Sequence, residues 1–397
     1  PPRSTLDRSS AASDVYMRQE LVHAGEPEPR IEGAVSMPIF QSSTYEYSGE
    51  GQYDDIRYIR LNNTPNHKAI QKKLAVIECA ESALVTSSGM SAITATLLTF
   101  LKQGDHLLSH KSLYGGTASF ILEDLPRYGI TFDLIDTTDP SGWSMMLKPN
   151  TKVIYAETIT NPMLEVPELG AIVDFAKENN LISMIDNTFA SPVLFSPSEL
   201  GFDISLHSCT KYINGHSDIV AGAVIGSDEF IKIITSRMNH FGGSLNPGAC
   251  FLLHRAIKTL ELRMIRQSKN AGQIALFLEN HPEILSVNYP GLVSNNSYER
   301  AKKYLSGFSA MVSFEVVGGK TRSIKFMDQL DIAINAPSLG GVETLITLPA
   351  LSSHSGMDPA ERVKAGITDS LIRLSVGIES VDDLITDLDQ ALIKTAS

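Results

Sequence analysis

LISMIDNTFASPVLFSPSELGFDISLHSCTKYINGHSD, residues 181–218, decides how the rest of the chain is read. Two short apolar runs frame it. Leu181, Ile182, Met184 and Ile185 run into Asp186, and Ile204 and Leu206 lead to Ser208, Thr210 and Lys211. Strands that turn polar only at their ends belong to a mostly parallel sheet covered on both faces, which binds ligands at its carboxyl ends.

The same alternation extends outward. Residues 64–80 carry Ile70, Leu74 and Ile77 at helical spacing. ALV then enters TSSGMSAITATLLTFL as strand, Ser/Gly turn and long helix. That order sets the backbone N–H groups of Gly89 and Met90 at a helix N-terminus, where an anion sits. HLLS, a helix over 115–124, ITFDLID, KVIYAE, a helix over 168–178 and IVAGAVIG continue the pattern. After about Pro247 the text changes to one or two helices over 248–281. Strands follow at 310–316, 332–339 and 371–378, then a final helix capped by Ser380. The expectation is an α/β chain in three parts: an extended arm over 1–60, a large domain with a mostly parallel mixed sheet over 61–250, and a smaller α/β domain over 251–397. The stretch from Leu21 to about Arg60 reads as irregular, the kind of arm that lies on a second subunit.

Composition narrows the function. With 397 residues, 43% of them hydrophobic, the chain can bury a sizeable core. Thirty-three basic against 45 acidic residues give a net charge of -12, and no basic run with interleaved aromatics occurs, so a small molecule is a better partner than nucleic acid. Cys79, Cys209 and Cys250 have no paired spacing, which argues against a disulfide framework or a cysteine metal site and fits a reducing cytoplasm. No apolar run reaches the ~20 residues of a membrane helix. The polar opening PPRSTLDRSSAASD reads as a flexible extension.

Taken alone, Lys211 is an ordinary surface lysine and Asp186 an ordinary turn residue. Together they describe a chemistry. The apolar run before Lys211 desolvates its amine for attack on an aldehyde, the hydroxyls of Ser208 and Thr210 suit a phosphate, and a buried Asp186 suits a pyridinium nitrogen. Those are the requirements of pyridoxal 5'-phosphate.

The chain also resembles the Cys/Met-metabolism family of pyridoxal phosphate enzymes, from VHAG (22–25) to the final helix. The likeness is carried by SSGMSAI (87–93), LYGGT (113–117), ETITNP (157–162), IDNTFASP (185–192), HSCTKYINGHSD (207–218), SLGGVETL (338–345) and LIRLSVGIE (371–379). It implies a PLP-dependent transferase-like fold, that of aspartate aminotransferase (type I). Lys211 would be the Schiff-base lysine and proton shuttle, Asp186 the pyridinium partner, and Tyr114 the aromatic over the ring. Ser88, Gly89, Met90, Thr188, Ser208 and Thr210 would join them around the cofactor. Arg373 would grip the substrate carboxylate with Asn161 and Ser338 assisting. Tyr58 and Arg60 match a motif that reaches a neighbouring subunit's phosphate, which implies a homotetramer of two active dimers.

The likeness implies a carbon-sulfur lyase acting by γ-elimination on cystathionine- or methionine-like substrates. A γ-replacement synthase, a β-lyase and a non-catalytic relative are the alternatives. The chain departs from the family pattern at Arg57, Gly116 and Pro337, outside residues 181–218, and these positions bear on the leaving group. Cys209 reads as a packing residue.

Overall fold

A computed structural model describes residues 18–47, 49 and 56–396. The polar opening expected to be an extension lies outside them. Seven strands make the large sheet: β1 Ser82–Thr86, β2 His106–His110, β3 Thr131–Ile135, β4 Thr151–Glu157, β5 Ile182–Asp186, β6 Ile204–His207 and β7 Gly222–Gly226. Their spatial order is β1-β7-β6-β5-β4-β2-β3, and only β7 runs against the others.

Both faces are covered because the side chains of each strand alternate between two apolar layers. Leu84, Val153, Met184, Leu206 and Val224 pack on one face with α2 (Gly89–Phe100) and α4 (Asp228–Phe241). Val85, Ile154, Ile185 and Ile225 face the other way, toward α1 (Pro65–Ile77) and α3 (Leu169–Glu178). Ile70, Leu74 and Ile77 of α1 are wholly buried, each contributing on the order of 1.5–3 kcal/mol.

The second sheet holds β8 Ile284–Asn288, β9 Met311–Val316, β10 Ile334–Asn335, β11 Leu345–Thr347 and β12 Ile372–Ser375, in the order β10-β11-β12-β9-β8. The region read as one or two helices is two, α5 Pro247–Ile257 and α6 Leu260–Glu279. The boundary expected at 250/251 falls inside α5, which packs on α1. The longer helices that follow in this part are α7 Gly319–Met327 and α8 Val381–Thr395. Ser380 caps α8, its hydroxyl accepting from the Asp383 N–H.

Some local readings change. The arm is not wholly extended: residues 18–23 are helical and bury Leu21. The helix expected over 115–124 is α-helical only over Gly115–Ser119 and widens to π-type winding over Phe120–Asp124. The strand expected over 332–339 shrinks to β10, because Pro337 has no N–H to give a ladder and Ser338 turns away at φ 114°. The strands β8 and β11 lay outside the runs read from periodicity, β8 because its face is half exposed and β11 because only three residues pair.

Candidate active site

The carboxyl ends of β5 and β6 open into a cavity of about 890 Å³ lined by Asp186, Thr188, Ser208, Thr210 and Lys211. Parallel pairing sets Asp186 opposite Leu206, so Asp186 lies beside the turn that carries Ser208 to Lys211. The Thr188 N–H donates to Asp186 Oδ1 at 2.9 Å, and the Thr188 hydroxyl accepts from the Ser208 N–H at 2.8 Å. One residue thereby ties the two strand ends together.

Ser88, Gly89 and Met90 line the next part of the wall. Ser88 caps α2, its hydroxyl accepting from the Ser91 N–H at 3.0 Å, which leaves the first amides of the helix without intrahelical partners. Glycine is required at 89, since a Cβ there would stand 2.7 Å from the Ser208 Cβ. The Thr210 hydroxyl is held by backbone: it donates to the Ala221 carbonyl at 3.2 Å and accepts from the Ala221 N–H at 3.0 Å.

Lys211 Nζ donates to Ser338 Oγ at 2.8 Å. Burial, and then the charge of Arg373, bring its amine down to about 8. Arg373 is buried on β12 and donates to Asn161 Oδ1 at 3.0 Å and to the Ser338 carbonyl at 3.1 Å, its Nε lacking a partner among the described residues. The large sheet thus supplies the amine and the second sheet the guanidinium. Tyr114 lines the cavity and is 40% exposed, anchored through its N–H to Glu157 Oε1 at 2.6 Å. Cys209 is fully buried and burial raises its thiol, as a packing residue requires.

Tyr58 and Arg60 stand outside this lining. Tyr58 is exposed, and Arg60 donates to the Asn239 carbonyl at 2.9 Å. Arg57 also lies outside it, its guanidinium 5.4 Å from the centre of the Tyr45 ring, whereas Pro337 lines the wall. Glu157 and the segment Leu351–Ser353 were not among the expected site residues. Glu157 had a signal, as the polar end of β4 within ETITNP, but Leu351–Ser353 arrives from the second part of the chain with none.

The wall fits pyridoxal 5'-phosphate. Burial pushes the Asp186 carboxyl up against the opposing pull of Thr188 and His207, and no ion-pair partner for it occurs among the described residues. A withdrawn carboxylate of this kind calls for a cation such as a protonated ring nitrogen. The glycine cradle at α2 suits a phosphate, and Lys211, the amine between them, suits an aldehyde.

The sequence pattern of the family described as Cys/Met metabolism PLP-dependent enzyme matches residues 18–393. The L-methionine gamma-lyase of Porphyromonas gingivalis is 40% identical over 382 residues, which is 94% of this chain and 95% of that protein. The cystathionine beta-lyase of Lactococcus lactis subsp. cremoris is 41% identical over 380 residues, 95% of this chain and 99% of its own. The crystal structure of cystathionine gamma-lyase from Lactobacillus plantarum complexed with L-serine superposes with a TM-score of 0.91 at 37% identity, covering 95% of this chain and 98% of that one. The chain belongs to the Cys/Met metabolism PLP-dependent enzyme family and is a carbon-sulfur lyase of sulfur amino-acid metabolism whose cofactor is pyridoxal 5'-phosphate.

Proposed function

We propose that the enzyme performs γ-elimination on methionine- or cystathionine-like thioether amino acids, releasing a thiol, 2-oxobutyrate and ammonia with uptake of one water. The carrying observation is that Lys211 and Arg373 face one cavity whose remaining wall includes Met327, Pro337, Leu339 and Leu351, an apolar room for a thioether chain.

Pyridoxal 5'-phosphate held here would supply an aldehyde for the substrate amine and an electron sink for Cα. Arg373 holds the substrate carboxylate, steadied by Asn161 and the Ser338 carbonyl. Lys211 Nζ removes the Cα proton, and an amine brought down to about 8 is a base matched to neutral pH. Asp186 would hold a protonated ring nitrogen. Tyr114, Ser88, Gly89, Met90, Thr188, Ser208 and Thr210, which line the cavity, would hold the group.

The protein works in the cytoplasm as a homotetramer, with Tyr58 and Arg60 of one copy completing the site of the next. Exposed Val35, Ile39, Tyr47 and Tyr58 along the arm support that assembly. No helix among the described residues is long and apolar enough to cross a membrane.

Assays of 2-oxobutyrate and thiol release from methionine, homocysteine and cystathionine test the reading. Thioether formation from acylated homoserine plus cysteine, without release from any thioether, would assign replacement instead. Pyruvate from cystathionine would assign β-elimination.

A further inference from the structure

The chemistry above makes no use of a buried polar stripe on α6. Arg263, Gln267 and Asn270 follow one another at i, i+4 and i+7, on one face of the helix, and are at most 5% exposed. None of them lines the cavity.

Their donors go to the segments that carry the site. Arg263 donates from Nη1 to the Tyr212 carbonyl at 2.6 Å and from Nη2 to the Ile213 carbonyl at 3.2 Å, directly after Lys211. It completes its set on the Ala256 carbonyl and the Thr259 hydroxyl, each at 3.2 Å. Gln267 gives both amide hydrogens away, to the Gly341 carbonyl at 2.7 Å and the Val376 carbonyl at 3.1 Å. One lies three residues past Ser338 and the other directly follows the strand of Arg373. Asn270 donates to the carbonyls of Gly377 at 3.1 Å and Glu379 at 3.0 Å. Both recipients of Gln267 being carbonyls, its nitrogen must face them, and its Oε1 is left without a partner among the described residues.

The bound segments also interlock. The Val342 N–H donates to the Gly215 carbonyl at 3.0 Å, and the Gly340 N–H donates to Ser375 Oγ at 2.8 Å. No side chain fits at either glycine: a Cβ on Gly215 would lie 2.0 Å from Arg263 Nη1, and one on Gly340 2.6 Å from the Tyr212 nitrogen. An apolar face would pack α6 without the desolvation of a guanidinium that has no carboxylate partner among the described residues. Polar donors matched to carbonyls add register.

We propose that Arg263, Gln267 and Asn270 are positioning residues that set the separation between the Lys211 amine and the Arg373 guanidinium. The proposal rests on the reading of those two groups as the substrate's base and carboxylate grip.

The test uses holoenzyme carrying Gln267→Met, similar in length but without donors, in wild-type and Arg373→Lys backgrounds. Gln267→Met should raise KM for a cleaved thioether about tenfold, lower kcat less, and leave cofactor affinity by absorbance titration within about twofold. In the Arg373→Lys background the same change should add less than about twofold to KM, because both act through one contact. A lowered melting temperature with KM unchanged, or full additivity in the double variant, overturns the proposal. Should Gln267→Met not fold, Gln267→Asn keeps a donor too short to span both carbonyls and carries the same expectations. If Arg373→Lys alone leaves KM unmoved, the reading of Arg373 falls and the proposal with it.

Discussion

The Lys211 amine of the large sheet rests on the Ser338 hydroxyl of a loop from the second sheet, 2.8 Å away. Ser338 holds φ at 114°, a backbone conformation that residues with side chains rarely adopt and that costs on the order of 1–3 kcal/mol. Ser338→Ala keeps the backbone and removes the acceptor, so kcat/KM should fall about tenfold. Ser338→Gly relieves the backbone, so it should raise the melting temperature while lowering kcat/KM. Steady-state kinetics beside thermal melts check both.

The amine itself titrates in a useful range. Attack on the cofactor aldehyde needs the neutral form, and depression to about 8 means that form grows as pH rises through 8. Capture of cofactor by the apoenzyme, followed by stopped-flow absorbance, should therefore quicken from pH 6 to 9 with a midpoint near 8. Arg373→Met removes the cation that helps depress the amine and should move the midpoint upward. Lys211→Ala should abolish the covalently linked absorbance band and lower turnover by about 10²–10⁴-fold, the usual worth of a positioned base.

Gly116 leaves the room in which the Tyr114 ring lies. A Cβ at 116 would stand 2.7 Å from Tyr114 Cε1 and 3.1 Å from the Met90 sulfur. Gly116→Ala must turn the ring aside, and kcat should fall by about tenfold or more with the circular dichroism of the cofactor band altered. Gly356→Ala, where a Cβ meets nothing within 4 Å, is the matched control and should leave both readings unchanged.

His110 makes the fold sensitive to acid. It is fully buried, its Nδ1 accepts from the Thr137 N–H at 3.3 Å, and burial brings its ring down to about 4 from an ordinary 6.5. Between those values the unfolded chain binds the proton and the folded chain does not, so this share of stability falls as pH drops from about 6.5 toward 4. His110→Gln should cost about 1–2 kcal/mol at pH 7, and that deficit against wild type should shrink across the interval. Urea titrations of both proteins at several pH values would show it.

Much of this was legible in the chain because apolar runs report which face is buried. The strands of the large sheet, the α2 cradle and the Ser380 cap were all read from local pattern. The pairing of Asp186 with the Lys211 turn followed from two strands that are consecutive in the chain and adjacent in space. Other features were hidden because they depend on where distant segments meet. The Leu351–Ser353 wall comes from a loop whose position no periodicity encodes. The stripe on α6 carries no signal in the sequence, since a buried Gln267 and an exposed one are spelled alike. The Thr210 hydroxyl was read as suited to a phosphate, and its bonds to Ala221 depend on a turn that no local pattern encodes.

The reversed strand β7 carries a consequence for how the protein comes into being. Among the described residues β1 is an edge strand whose sole neighbour is β7, the last strand of its sheet to be made. A nascent chain therefore carries β1 without its β7 partner until Gly226 has emerged. Competence to capture the cofactor is acquired at the end of the large sheet's assembly, so cofactor uptake during refolding should serve as a clock for its slowest closure.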